Sequence, residues 1–459
     1  MKDIYLVNYS VKGIKALDQR VSLSFYKKTL SKDLNTQEYN IKGIYGMNGS
    51  GKSGIIASVE ILRNILINQG YLNNPIAQKN LDAMIHKGTG ELEIQAEYLV
   101  RAEGPVSLFR YSVTLSRDVT GKYIISKESL ASKNAFSKKD AMETIFEVSN
   151  GEIVCIYGKE ADEYAASIVN KTMNLLSTAS MSALFYEKVL FPEWKNKEKG
   201  EKKTLFWAGM AMLFLFGTRL HVYLDQSDDH REYVTRNSLR CYDDNEKYKI
   251  EINSLIKNFA EMDSDCLNVI SITENFVSKA KYHSFENEVQ KLYEFLHIFK
   301  NELKNIEIDK KEDHDVWICD LVMVYETYKI HAEYESTGIK KLIRLFAYLK
   351  EMIEGGIIFI DEFDSNLHDV YLCALLEYLM EYGKGQLCFT THNVGPMDVL
   401  KKRKKSIDFL SEDHKIYSWT TSGNYSPSKL YRNGMIEGSP FNVDSIDFIN
   451  AFGAGREDE

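Results

Sequence analysis

The sequence predicts an α/β fold in which parallel strands carry functional loops at one edge and a separate antiparallel part is attached. Three observations predict it. Gly46-Met47-Asn48-Gly49-Ser50-Gly51-Lys52-Ser53 fits G-x-x-x-x-G-K-[ST] without a mismatch. It follows a short apolar run, Asn40 to Tyr45, and precedes the helical spacing of Gly54 to Leu62, so a strand, a glycine-rich loop and a helix are expected in succession. Far downstream, Ile357-Ile358-Phe359-Ile360 runs into Asp361-Glu362, the pattern of a fully buried strand with an acidic pair at its carboxyl end. Between the two, residues 90–125 alternate polar and apolar, as in Leu92-Glu93-Ile94-Gln95-Ala96-Glu97-Tyr98, which is the period of antiparallel strands.

The glycine-rich loop is a phosphate cradle. Its glycines, Gly46, Gly49 and Gly51, let backbone N–H groups turn inward, and Asn48 and Ser50 complete the loop. The helix that starts near Gly54 adds the positive end of its dipole. Lys52 is expected to reach the β- and γ-phosphates of a nucleoside triphosphate, and Ser53 to offer a hydroxyl to Mg²⁺. At the acidic strand end, Asp361 is expected to hold Mg²⁺ through water and Glu362 to take a proton from the attacking water.

After that pair, a helix from about Val370 to Tyr382 is followed by Gln386-Leu387-Cys388-Phe389-Thr390-Thr391-His392, a second buried strand that delivers His392 to the same edge as a sensor of the γ-phosphate. Upstream, two alternating strands (Val316 to Tyr325 and Tyr328 to Tyr334) lead to Glu335-Ser336-Thr337-Gly338, a turn that opens a helix to about Met352. Ser336 reads as its N-cap, and Ser336 and Gly338 sit at a further anion-binding helix start.

These residues, in this order, resemble the ABC-type ATPases of the branch that includes the OLD-family nucleases, the SMC and recombination ATPases and many prokaryotic defence ATPases. GMNGSGKS resembles their Walker A motif, IIFIDE their Walker B, FDSNLH their D-loop region, TTHN their His-switch and ESTGIKKL a shortened signature. The resemblance implies an ABC-ATPase-like P-loop head with an antiparallel β-subdomain and a large helical insertion. It implies ATP and Mg²⁺ as ligands, catalytic roles for Lys52, Glu362 and His392, and a homodimer or higher oligomer in which ATP bridges two heads. The signature is degenerate, Asp369 follows His368 where Pro is frequent, and no Gln lies between Gln95 and Gln226 to serve as a Q-loop.

Three segments are expected: 1–155 with Walker A and the β-subdomain, 156–312 as a helical insertion for a lid or a docking partner, and 313–459 with the remaining motifs. The insertion is marked by the stripe Val289, Leu292, Phe295, Leu296, Phe299 and Leu303. The apolar run Leu205 to Gly217 is shorter than the ~20 residues a bilayer needs and is read as a buried or partner-facing helix.

The 459 residues are 44% hydrophobic with a net charge of -9, which argues against a chain coated by nucleic acid; of two lysine-rich runs, Lys195 to Lys203 reads as an exposed loop and Lys401-Lys402-Arg403-Lys404-Lys405 is more concentrated. Six scattered cysteines form no C-x-x-C pair, and the start has no signal-like apolar region, so a cytoplasmic location is expected. The stretch after His392 is shorter than the Toprim domain of OLD-family nucleases, so a nuclease or toxin effector is expected on a separate chain. The leading expectation is the sensor or motor ATPase of an anti-phage defence system. The rivals are a repair ATPase of the RecF or SMC kind acting on DNA, and a nucleotide-gated scaffold that cages a toxin.

Overall fold

A computed structural model describes residues 3–27, 29–101, 105–138, 141–156, 168–186, 201–224, 269–314, 316–420 and 425–439. The chain opens with β1 (Asp3–Lys12) and β2 (Val21–Ser24), then forms β3 (Ile41–Gly46), which turns through the glycine loop into α1 (Lys52–Ile67). After α2 (Pro75–Met84) come the long strands β4 (Leu92–Arg101), β5 (Ser107–Arg117), β6 (Tyr123–Asn134), β7 (Glu143–Ser149) and β8 (Glu152–Ile156). A short α3 (Met181–Tyr186) and the apolar α4 (Glu201–Arg219) lead to β9 (Leu220–Tyr223).

A smaller unit follows, formed by β10 (Asn275–Ser278), α5 (Tyr282–Phe299), β11 (Asn305–Asp313), β12 (Val316–Val324) and β13 (Lys329–His331). The chain then alternates helix and strand through α6 (Thr337–Glu354), β14 (Ile357–Ile360), α7 (Asp369–Tyr382), β15 (Gln386–Thr390), α8 (Pro396–Leu400) and β16 (Ile407–Leu410), and finishes with β17 (Ile416–Ser418) and α9 (Pro427–Arg432).

The central sheet has the order β17-β16-β3-β15-β14-β9 and is parallel except for β17 at its edge. Every residue of β3, β14, β15 and β16 is buried, as expected for strands covered on both faces. A second sheet, β2-β1-β4-β5-β6-β7-β8, is antiparallel throughout. Its alternating inner residues, with α1 and α4, make one core; α6 and α7 cover the other face of the central sheet; α5 and the small sheet of β10 to β13 share a third core with the start of α6.

Side-chain amides tie these layers together. The β1 ladder is irregular between Leu6 and Asn8, and the Gln386 side chain fills the gap like a piece of strand. Its Oε1 accepts from the Leu6 N–H at 2.6 Å and its Nε2 donates to the Leu6 carbonyl at 3.0 Å, with both groups buried. The Asn40 amide donates to the carbonyls of Met380 and Gly383, both at 3.2 Å, closing the end of α7.

One expectation changes. The 156–312 stretch is not helical throughout: β9 pairs in parallel with β14 and is part of the central sheet, while β10 and β11 belong to the small sheet. The four residues of β9 are too short an apolar run to separate strand from helix by period. The apolar run of α4 is the buried helix expected for it, with Phe206, Met210, Leu213 and Phe216 fully buried between α1 and the antiparallel sheet. No described helix is long and apolar enough to cross a membrane. Residues 195–200 of a lysine-rich run and the acidic end 456–459 lie outside the described residues.

Candidate functional site

The loop between β3 and α1 leaves the carboxyl edge of the central sheet, where ligands bind in open α/β sheets. Gly51 caps α1 with φ +104°, a backbone angle that requires glycine, and a Cβ there would lie 2.5 Å from Leu17 Cδ2, so the Leu17 side chain would have to shift. Asn48 and Gly49 are exposed at the loop tip, whereas Ser50 and Gly54 are buried and Ser53 half-buried. Ser50 Oγ has no hydrogen-bond partner despite its burial, leaving an unsatisfied hydroxyl inside the cradle.

Lys52 is the one ammonium at the centre of this loop. It is 6% exposed, and its Nζ donates to the carbonyls of Gly46 and Met47, both at 2.8 Å. Burial pushes its pKa down to about 8 despite the opposing pull of Asp361, Glu362 and Asp364. A polyanion beside it would raise that pKa again.

The neighbouring strands supply the acids. Asp361 follows β14 and is buried, while the Glu362 side chain is exposed. Glu362 has φ +47°, in the left-handed region that a residue with a Cβ seldom adopts. Thr390, at the end of β15, holds this corner: its Oγ1 donates to Asp361 Oδ1 at 2.5 Å and accepts from the Glu362 N–H at 2.8 Å. Asp364 Oδ2 accepts from the Asn393 N–H at 3.1 Å, which ties the loop after β14 to the loop after β15.

His392 lies on that second loop with an exposed side chain. Partial burial and then the Lys52 charge hold its pKa below the usual histidine value, against Asp364, Glu362 and Asp361. Lys52 at the start of α1, Asp361 and Glu362 after β14 and His392 after β15 thus follow strands of the same parallel sheet at its carboxyl edge.

Ser336 and Gly338 sit apart from the cradle. Ser336 Oγ caps α6 by accepting from the Ile339 N–H at 3.4 Å. A Cβ on Gly338 would be 2.6 Å from the Asn366 carbonyl, so the turn packs on the loop after β14. Among the described residues neither bonds to the glycine loop of its own chain. The basic run is largely neutralised: Lys401 pairs with Asp398 at 3.0 Å, Lys402 with Glu377 at 2.6 Å, Arg403 with Glu381 at 3.6 Å and Lys404 with Glu38.

Residues 222–398 match a protein family described as "AAA domain, putative AbiEii toxin, Type IV TA system". The match begins in β9 and ends in α8, so it contains the acidic edge and the signature turn but not the glycine loop. The fold is a mixed α/β one, with a mostly parallel sheet that carries the glycine loop and the acidic edge. No curated protein matches the chain. Among solved structures it is similar to the recombination mediator protein RecF with ATPrS, at 13% identity over 91% of this chain and 99% of that one, TM-score 0.35. A second is RecF with ATP, at 14% identity over 85% and 94%, TM-score 0.32. These likenesses are loose.

The sequence alone did not point to Thr390, Asp364 or Lys341. The first two stood inside motifs already singled out, yet their partners lie tens of positions away. Lys341, on the buried face of α6, breaks the apolar pattern there, and that was the available signal.

Proposed function

We propose that the chain binds ATP in the loop Gly46 to Gly54 and hydrolyses it. The observation that carries this reading is the convergence of Lys52, Asp361, Glu362 and His392 at the carboxyl edge of one parallel sheet. In the proposed reaction Lys52 leaves its two loop carbonyls for phosphate oxygens. The Glu362 carboxylate orients a water and takes its proton as the water oxygen attacks the γ-phosphorus and the bond to the bridging oxygen of the ADP leaving group breaks. His392 donates a hydrogen bond to a γ-phosphate oxygen.

The donor set fits Mg²⁺, which favours a few hard oxygens and keeps water and substrate phosphate for the rest. Ser53 and Asp361 would hold the ion, which when bound neutralises charge on the phosphates. Among the described residues no group of three or more His, Cys, Asp or Glu is placed to bind a metal by itself.

The reading extends to a regulatory ATPase of a defence system that controls a separate nuclease or toxin. The family matched by residues 222–398, whose description names a putative toxin and a toxin–antitoxin system, supports it. The internal pairing of the basic run lowers the free positive charge available for a DNA backbone, which weighs against the repair reading. Ser336 and Gly338 are assigned to the γ-phosphate of a second head, because α6 presents its amide end beside them. Affinity capture of the native complex with Glu362→Gln, with and without ATP, tests the extension: a co-purifying effector supports it. DNA-stimulated, salt-sensitive hydrolysis by the purified chain alone refutes it.

A further inference from the structure

Resting on the ATPase reading, we propose that Lys341 is a positioning residue for the general base, joining the signature helix α6 to Glu362 within one head. Lys341 is 4% exposed, an unusual place for an ammonium unless it is held by polar partners. Its Nζ donates to the backbone carbonyl of Glu362 and to Ser365 Oγ.

The base is therefore fixed on both sides of its Cα. Its N–H is taken by Thr390 Oγ1 of the His392 strand, its carbonyl by Lys341 of α6, and between them the backbone has φ +47°. A residue in the left-handed region persists only where its surroundings over-determine it, and here the two hydrogen bonds do so. The same helix touches the loop again at its start, where Gly338 abuts the Asn366 carbonyl and Thr337 Oγ1 meets Asn366 Oδ1 at 3.3 Å. Asn366 too has a positive φ, +60°. A displacement of α6 when its signature end meets a ligand moves Lys341 with it and so re-aims the Glu362 carboxylate. Its described hydrogen bonds go to the Glu362 carbonyl and to Ser365, so it acts through the base's backbone.

The test is a double-mutant cycle on the full chain, with single-turnover ATP hydrolysis and ATP Kd measured for wild type, Lys341→Met, Glu362→Gln and the double variant. Lys341→Met is expected to slow hydrolysis about tenfold while Kd stays within about threefold. In the Glu362→Gln background the same change is expected to cost nothing, because the carboxylate it positions is already gone. Lys341→Arg, which keeps a charge and donors, is expected to recover part of the rate.

A wild-type rate in Lys341→Met, equal losses in both backgrounds, or a Kd that rises as much as the rate falls would overturn the proposal. Wild-type hydrolysis abolished by Lys52→Ala would still leave the ATPase reading intact in each of those cases. A wild-type chain that hydrolyses no ATP defeats the ATPase reading and this proposal together. If Lys341→Met does not melt cooperatively, Ser365→Ala takes its place, removing one acceptor while the ammonium stays on Glu362. A loss of about two- to fivefold, absent with Glu362→Gln, then upholds the proposal, and no loss overturns it.

Discussion

The two halves of the site are built differently. The glycine loop is local: residues 46–54 form the turn, the helix start and the lysine, and Lys52 is held by two carbonyls within the same loop. The acidic edge is assembled from distance. Asp361 and Glu362 depend on Thr390 from β15, Glu362 also on Lys341 from α6, and Asp364 on the Asn393 amide. One half is a cradle that waits for charge; the other is a set of carboxylates already cross-braced. In the proposed ATPase such a division would give binding to the loop and turnover to the braced edge, and each half could be broken without the other.

The largest separation is expected from Lys52→Ala. The loop backbone survives, but the charge between the β- and γ-phosphates is lost, and ATP affinity is expected to fall by about 10² or more in equilibrium titration. Unchanged affinity would remove the cradle from the account. Thr390→Val attacks the other half. The substitution keeps the shape, strips the Glu362 N–H of its acceptor and Asp361 of its donor, and is expected to slow single-turnover hydrolysis about tenfold with ATP affinity nearly unchanged.

The pH dependence of binding in the alkaline range sharpens the contrast, because there it belongs to the loop. With its pKa pushed down to about 8, free Lys52 is half deprotonated near that pH, and the phosphates of ATP raise its pKa again. One proton is then taken up per ATP bound above about pH 8, so affinity falls there by up to about tenfold per pH unit. Below that pH the dependence from this group disappears, and in Lys52→Arg it is expected to be absent at every pH. Isothermal titration in two buffers of different ionisation enthalpy checks both.

The smallest effect on the site is expected from the seam that carries it. Gln386→Leu leaves the Leu6 N–H and carbonyl buried without partners and is expected to cost about 2–4 kcal/mol in urea unfolding. ATP affinity at a temperature where the variant is folded should be unchanged. A fall in affinity equal to that of Lys52→Ala would mean that the antiparallel sheet shapes the cradle directly.

The same local and distant split explains what the sequence revealed. Gly46 to Gly54 could be read as a phosphate loop because its glycines, lysine and serine act within one turn, and the strand into Asp361-Glu362 could be read because burial on both faces leaves an unbroken apolar run. The antiparallel strands β4 and β5 announced themselves by alternation. Strand β9 did not, because four residues, three of them buried, directly after a buried helix carry no period of their own. Nor did the braces: nothing in Thr390 or Lys341 names a partner 28 or 21 positions away, since those pairings exist only after the sheet is ordered. Ser336 was legible as a cap, and its caps-and-contacts geometry is local too.

The most direct test of the division between binding and turnover is the identity of the nucleotide retained after incubation with ATP and Mg²⁺, released from each purified variant and separated by chromatography. Glu362→Gln keeps the shape of the edge and the cradle but removes the base, so it is expected to retain intact ATP with hydrolysis slowed about 10² or more. Wild type is expected to yield ADP, and Lys52→Ala no nucleotide. ADP on Glu362→Gln at the wild-type rate, or ATP retained by Lys52→Ala, would contradict the account.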